Sequence, residues 1–81
     1  MEARWEATLV VNNQLFFEED IIEVYWTSYE QKHTLKGRLA SLDTSSIVID
    51  YSEKYRTETR EFNVKSLDKI IKIKDMNNYR V

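Results

Sequence analysis

One polar loop past the middle of the chain places aromatic residues among basic ones. Its members are Tyr51, Lys54, Tyr55, Arg56 and Arg60. Aromatic rings can stack on unpaired bases, while basic side chains contact phosphates. The pattern therefore predicts a site for RNA or single-stranded DNA. The alternative is that Tyr51 belongs to the core and the other four residues form a solvated loop.

No other set of residues predicts chemistry. His33 is the only histidine and follows Lys32 at the start of a strand, where exposure is expected. Neither Ser45 nor Ser46 has a recognisable base or oxyanion donor. The adjacent carboxylates of residues 18–20 lack the spacing of a divalent-cation site, so a solvated turn is expected there. We expect no enzyme activity, catalytic residue, metal, cofactor or small-molecule substrate.

Composition limits the protein classes further. The absence of cysteine excludes disulfides and thiolate zinc sites. The net charge is −2, which is unusual for a protein that contacts many phosphates. Charge is uneven, because residues 1–30 hold one basic and seven acidic residues, whereas residues 51–81 hold eight and five. The uneven charge has two possible explanations. The charged residues form solvated faces, or the molecule packs head to tail or presents a basic edge to a polyanion.

Length and hydropathy predict a single domain spanning residues 1–81, with a barrel over about 20–74. Neither a signal-peptide pattern nor an apolar run near about 18 residues is present. We therefore expect a soluble, cytoplasmic protein without a membrane partner. So short a chain buries only about 60% of its extended surface, and self-association is a common way to add stability.

Alternating apolar and polar residues indicate strands throughout. A hairpin is expected from Trp5–Val11 and Gln14–Phe17 around Asn12–Asn13. A single 3₁₀ turn is expected at residues 64–67, and the scarcity of glycine and proline suggests turns made by Asn, Asp and Ser. The remaining predicted strands are 21–29, 33–42, 47–51, 57–64 and 69–74.

The faces of these strands follow from the period of two. The inward set should contain Ile22, Val24 and Trp26 on one strand and Ile47, Ile49 and Tyr51 on another. On the central strand, Leu35, Gly37, Leu39 and Ser41 share one face and Leu42 lies on the other, with a bend at Gly37. Asp43 should bond backbone amides across the next turn. Tryptophan and tyrosine could instead form a recognition patch from Trp5, Tyr25, Trp26 and Tyr29.

The central hairpin resembles the first signature of Sm-like proteins. The matching residues are Leu35-Lys36-Gly37-Arg38-Leu39, Leu42-Asp43 and Ile47-Val48-Ile49-Asp50. The resemblance covers about two-thirds of the chain and implies an all-β, five-stranded SH3-like barrel, here with an extra N-terminal hairpin and a 3₁₀ turn before the last strand. Ser45 and Ile47 replace the aromatic and asparagine of the family's uridine pocket. The second family signature has no equivalent at residues 64–66.

The resemblance also implies a homo-oligomer formed by pairing of strand edges. The strands concerned are Thr57–Val64 of one subunit and Lys69–Lys74 of the next. The interface residues would be Arg60, Phe62, Val64, Ile71 and Ile73. Two functions stay open: an oligomeric binding module for RNA or single-stranded nucleic acid, and a protein-interaction adaptor or assembly protein, for example of phage or mobile-element origin, without nucleic-acid binding.

Overall fold

The computed structural model describes residues 9–11, 14–43 and 45–74. These residues contain no α-helix, which confirms the all-β class. The predicted last strand has the expected bounds, and the predicted 3₁₀ turn precedes it. The strands are β1 (Leu9–Val11), β2 (Gln14–Phe16), β3 (Ile21–Ser28), β4 (Gln31–Leu42), β5 (Ser46–Glu53), β6 (Arg56–Asn63) and β7 (Lys69–Lys74), with the 3₁₀ turn at Val64–Ser66.

The strands form two antiparallel sheets. Strands β1 and β2 make a two-stranded sheet, and the other five follow the order β6-β5-β4-β3-β7. The last strand therefore lies beside β3 rather than beside its neighbour in sequence. No ladder joins β6 to β7 in the part of the chain that the structure describes, so both are edge strands.

Strand β4 passes from one partner to the other near Gly37. Its first part pairs with β3 and its last part with β5. A Cβ atom on Gly37 would lie 2.3 Å from the carbonyl oxygen of Asp50 and 2.6 Å from Cγ2 of Ile49. Glycine is thus required by the close approach of β5.

The predicted faces of β4 are wrong beyond Leu39. The register shifts between Leu39 and Ser41, which is a β-bulge. The bulge adds one residue and reverses the faces that follow it. Leu42 is therefore buried, and Ser41 is exposed.

The core lies on one face of the five-stranded sheet. As predicted, Ile22, Val24, Ile47 and Ile49 are fully buried, whereas Trp26 is half-buried at the margin. Phe16 of the N-terminal hairpin is also fully buried, so this hairpin contributes to the core. The predictions for Trp5, Asn12–Asn13 and the segment 75–81 lie outside the described residues. The core residues are Phe16, Ile22, Val24, Leu39, Leu42, Ile47, Ile49, Phe62 and Ile70.

Asp20 is not in a solvated turn, as the sequence had suggested, but fully buried. Its carboxylate accepts a hydrogen bond of 3.0 Å from the Phe17 amide. The ammonium of Lys72, on β7, lies 3.2 Å from the same oxygen. The ion pair and the hydrogen bond offset the free-energy cost of removing the Asp20 charge from water.

Two turns are tighter than expected and use unexpected residues. Tyr29–Glu30 joins β3 to β4, and Lys54–Tyr55 joins β5 to β6. All four residues have positive φ, at 51° and 66° in the first turn and 46° and 71° in the second. Two consecutive positive φ values define the type I′ hairpin turn, which normally favours Asn-Gly. The prediction that turns rely on Asn, Asp and Ser is therefore wrong at these two hairpins.

The turn between β4 and β5 agrees with prediction. The Asp43 carboxylate accepts hydrogen bonds of 2.8 Å from the amides of Ser45 and Ser46. These amides stabilise the charged form and lower the pKa of Asp43 below its usual value.

Candidate functional site

The candidate site is a groove between the β3–β4 and β5–β6 hairpins, at the margin of the core. In an antiparallel meander the turns of these two hairpins lie at the same end of the sheet. The opening has a volume of about 370 Å³. We call it the hairpin groove, and its lining includes Trp26, His33, Leu35, Tyr51, Glu53 and Arg60.

Trp26 and His33 form the aromatic wall of this groove. They are direct partners across β3 and β4. Their rings stack with centroids 5.3 Å apart and planes inclined by 18°. His33 is half-buried rather than fully exposed because of this contact. The tight Tyr29–Glu30 turn fixes the register that brings the two rings together.

Arg60 extends the wall with a cation. Its guanidinium carbon lies 4.8 Å from the centroid of Trp26 and 5.0 Å from that of Phe62. Trp26 and Phe62 are themselves in contact, with centroids 4.9 Å apart. Arg60 is exposed and forms no ion pair with the described carboxylates, so its donors face solvent. The arrangement offers π-surface and hydrogen-bond donors at one place.

The structure divides the five residues predicted to bind nucleic acid. Tyr51 and Arg60 line the hairpin groove together. The Arg56 guanidinium is 2.9 Å from the carboxylate of Glu58 and is therefore engaged. Lys54 and Tyr55 form the turn at the tip of the same hairpin, outside the groove lining, and Tyr55 is fully exposed.

Sequence reasoning did not include Trp26 and His33 in the site. The available signal was their position on the inward faces of two adjacent strands, near the ends that share a turn. Without the length of that turn, the register and hence the stacked pair could not be derived. The sequence predicts Trp26 either in the core or in an exposed recognition patch and His33 at the surface, whereas both side chains are half-buried.

The residues predicted for an oligomer interface also separate. Phe62 is buried in the core and Val64 packs against it. Ile71 is half-buried, while Ile73 is 45% exposed on the edge strand β7. An interface at these edges would therefore use backbone groups and Ile73 rather than the side chain of Phe62.

A second hollow adjoins the groove, because Trp26 and His33 line both. We call it the edge hollow, and its volume is about 570 Å³. The phenol of Tyr25 donates a hydrogen bond to Glu23, and this bond, together with partial desolvation and the negative charge, raises the pKa of Tyr25. Besides Trp26 and His33, the edge hollow is lined by Tyr25, Thr27, Lys32, Asp68 and Lys69.

The described residues hold no group of three or more histidine, aspartate and glutamate side chains placed to bind a metal ion. In this same part of the chain, no helix has the length and apolar character to cross a membrane. Comparisons of the chain with family models, curated proteins and solved structures give no significant match. The function is therefore argued from the groove itself.

Proposed function

We propose that the protein is a non-catalytic binding module for single-stranded nucleic acid, with the hairpin groove as the base-binding site. The observation that carries this proposal is the stacked pair Trp26–His33 with the Arg60 guanidinium over the indole. Aromatic platforms next to basic side chains bind unpaired bases by stacking, with little dependence on sequence. The groove would exclude a duplex, because each base inside a duplex is stacked on its neighbours and has no free face.

The sheet order supports an Sm-like, SH3-like barrel as the scaffold. A meander of four strands is followed by a 3₁₀ turn and a fifth strand that returns beside the first. Gly37, the glycine of the stretch that resembles the family signature, lies where the central strand exchanges partners. The hairpin groove is at the opposite end of this sheet from Asp43, so the proposed site does not depend on the uridine pocket whose residues are replaced.

We propose further that the module assembles head to tail. Its two edges, β6 and β7, are different surfaces, and an exposed edge readily pairs with another strand. Pairing β6 of one copy with β7 of the next is a heterologous contact, which closes into a ring when the rotation permits. Light scattering coupled to size-exclusion chromatography should give a mass that is a multiple of 9.8 kDa. A strict monomer at high concentration would exclude the assembly.

The binding site is tested by removing one cation from the groove. Arg60→Gln should weaken binding of a fluorescein-labelled oligothymidylate or oligouridylate about tenfold or more in fluorescence anisotropy at low salt. It removes the guanidinium plane that lies over the indole and on which a base can stack, and a stacked base contributes about 1–3 kcal/mol. Arg38→Gln is the matched control, because it causes the same charge change while Arg38 is paired with Asp50 at 2.5 Å, outside the groove. The control should change affinity less than about threefold.

Two results would contradict the base-binding site. One is an absence of binding to either oligonucleotide by the unmodified protein at low salt. The other is an equal loss of affinity in the Arg60 and Arg38 variants, which would show that only the overall charge matters. Binding that does not weaken as salt rises would exclude phosphate contacts.

A protein-interaction adaptor is the second candidate. It is favoured by Tyr29 and Tyr55, both almost completely exposed at the tips of the hairpins that flank the groove. Tyrosine is enriched at protein interfaces, and here each occupies a strained, positive-φ position. The adaptor becomes the preferred function if neither oligonucleotide binds at low salt.

A further inference from the structure

The edge hollow differs from the hairpin groove in charge. Its charged lining consists of Lys32, Lys69 and Asp68, whereas the groove is lined by one cation, Arg60, and one anion, Glu53. Trp26 and His33 line both openings, so the two openings meet at this pair. The register places Lys32 beside Thr27 and Lys69 beside Tyr25, on the sheet face opposite the pair. The basic part of the surface therefore lies around the edge of β3 from the neutral part.

The two lysines of the edge hollow are available to a ligand. Neither forms an ion pair with a carboxylate of the described residues, unlike Arg38, Arg56 and Lys72. The Lys69 ammonium lies 5.6 Å from the centroid of Tyr25, a cation–π contact that leaves the exposed side chain without a carboxylate partner among the described residues.

Asp68, the acidic residue of the hollow, is fixed in place by two hydrogen bonds. The Asp68 carboxylate accepts a hydrogen bond of 2.6 Å from the Thr27 hydroxyl. The Asp68 amide donates to the carbonyl of Tyr25 at 2.7 Å, which fixes the backbone there. Because Asp68 is bonded to Thr27, it is less able to pair with Lys32 and Lys69. The ammonium groups of these two lysines are therefore the groups that an entering anion would contact.

We propose that the edge hollow is a phosphate subsite, which binds the backbone of the nucleotide adjacent to the base in the hairpin groove. This inference rests on the proposed function and extends it. It implies a binding footprint longer than one nucleotide, with Trp26–His33 at the junction. It also explains how a chain with a net charge of −2 can contact a polyanion, since three exposed cations without an ion pair among the described residues, Arg60, Lys32 and Lys69, line the two openings that share the aromatic pair.

The test compares two double variants with the same change in net charge. Lys32→Gln with Lys69→Gln removes both cations of the hollow. Lys36→Gln with Lys65→Gln is the control, because these exposed lysines lie outside the hollow lining and also form no ion pair with the described residues. Anisotropy with labelled oligothymidylate is measured over a salt series, and circular dichroism checks that all variants fold.

The hollow variant should lose about tenfold in affinity at low salt. The slope of log K against log salt should become shallower by about 0.7, because the variant loses one phosphate contact and each such contact to a single strand contributes about 0.7. The control should lose less than about threefold and keep its slope. In competition with labelled oligothymidylate, thymidine monophosphate should bind the unmodified protein more tightly than thymidine does. On the hollow variant the two compounds should bind equally.

The outcomes separate the two proposals. If the unmodified protein binds oligothymidylate and the two double variants behave alike, the phosphate subsite is excluded while the base-binding groove remains. If the unmodified protein binds no oligothymidylate at low salt, both proposals are excluded together.

Discussion

Gly37 is the residue on which the central strand most directly depends. Its missing side chain leaves room for the Asp50 carbonyl, which would lie 2.3 Å from a Cβ atom. Because that obstacle is backbone, it cannot move aside as a flexible side chain would. The same close contact keeps β5 against β4 and so holds Tyr51 in the hairpin groove.

Gly37→Ala should therefore lower the free energy of unfolding by about 3 kcal/mol, the upper part of the range for overpacking. Urea denaturation followed by circular dichroism would measure this loss. Ser41→Ala, an exposed change on the same strand, should stay within about 0.5 kcal/mol. Equal stabilities of the Gly37 and Ser41 variants would contradict the close approach.

Single residues show what the sequence could and could not predict. Gly37 was recognisable because a lone glycine inside an alternating strand indicates a bulge, bend or close approach, and the structure selects the third. Leu42 was assigned to the wrong face, since no residue type identifies a bulge between Leu39 and Ser41. Tyr51 and Arg60 belong to the predicted set because aromatic and basic residues alternate around one loop, whereas the stacking of Trp26 on His33 depends on a register that two positive-φ residues set.

At the scale of elements, the N-terminal hairpin is joined to the sheet by an apolar and a polar anchor. Phe16 enters the core, and Lys72 of β7 reaches both the Asp20 carboxylate and the carbonyl of Leu15. Lys72 also lies 5.3 Å from the centroid of the Phe16 ring. The sequence could not predict this junction, because Asp20 resembled one of three solvated acidic residues and its partner is far along the chain.

Asp20→Ala should lower the free energy of unfolding by about 3 kcal/mol, since it removes the carboxylate beside a Lys72 side chain that is only 9% exposed. The double variant Asp20→Leu with Lys72→Met should be less destabilised than the single one, because it leaves neither charge behind. Urea denaturation of both variants measures the difference.

The exposed Arg56–Glu58 pair supplies the comparison for that experiment. Arg56→Gln should cost less than about 1 kcal/mol, as solvent screens an exposed ion pair. If Asp20→Ala cost no more than Arg56→Gln, the buried pair would not be the anchor of the hairpin.

For the whole molecule, the position of charges matters more than their sum. A net charge of −2 argues against wrapping a nucleic acid, and the proposed site does not require it. Arg38 and Arg56 are neutralised locally, while Arg60, Lys32 and Lys69 remain accessible on both sides of one aromatic pair. Binding should therefore be modest, confined to that end of the sheet and sensitive to salt, with the edges β6 and β7 left for assembly.

The most direct test of the base-binding groove is the fluorescence of Trp26. The chain has two tryptophans, so Trp5→Phe leaves Trp26 as the only indole. Titration with oligothymidylate at low salt should quench the emission of Trp26 to a saturating level, because a base that enters the groove stacks on the Arg60 guanidinium, which covers the indole. The emission should recover as salt is added. Heparin, a polyanion without bases, should not produce this quenching. An emission that is unchanged by oligothymidylate, or that heparin changes equally, would contradict the proposed function.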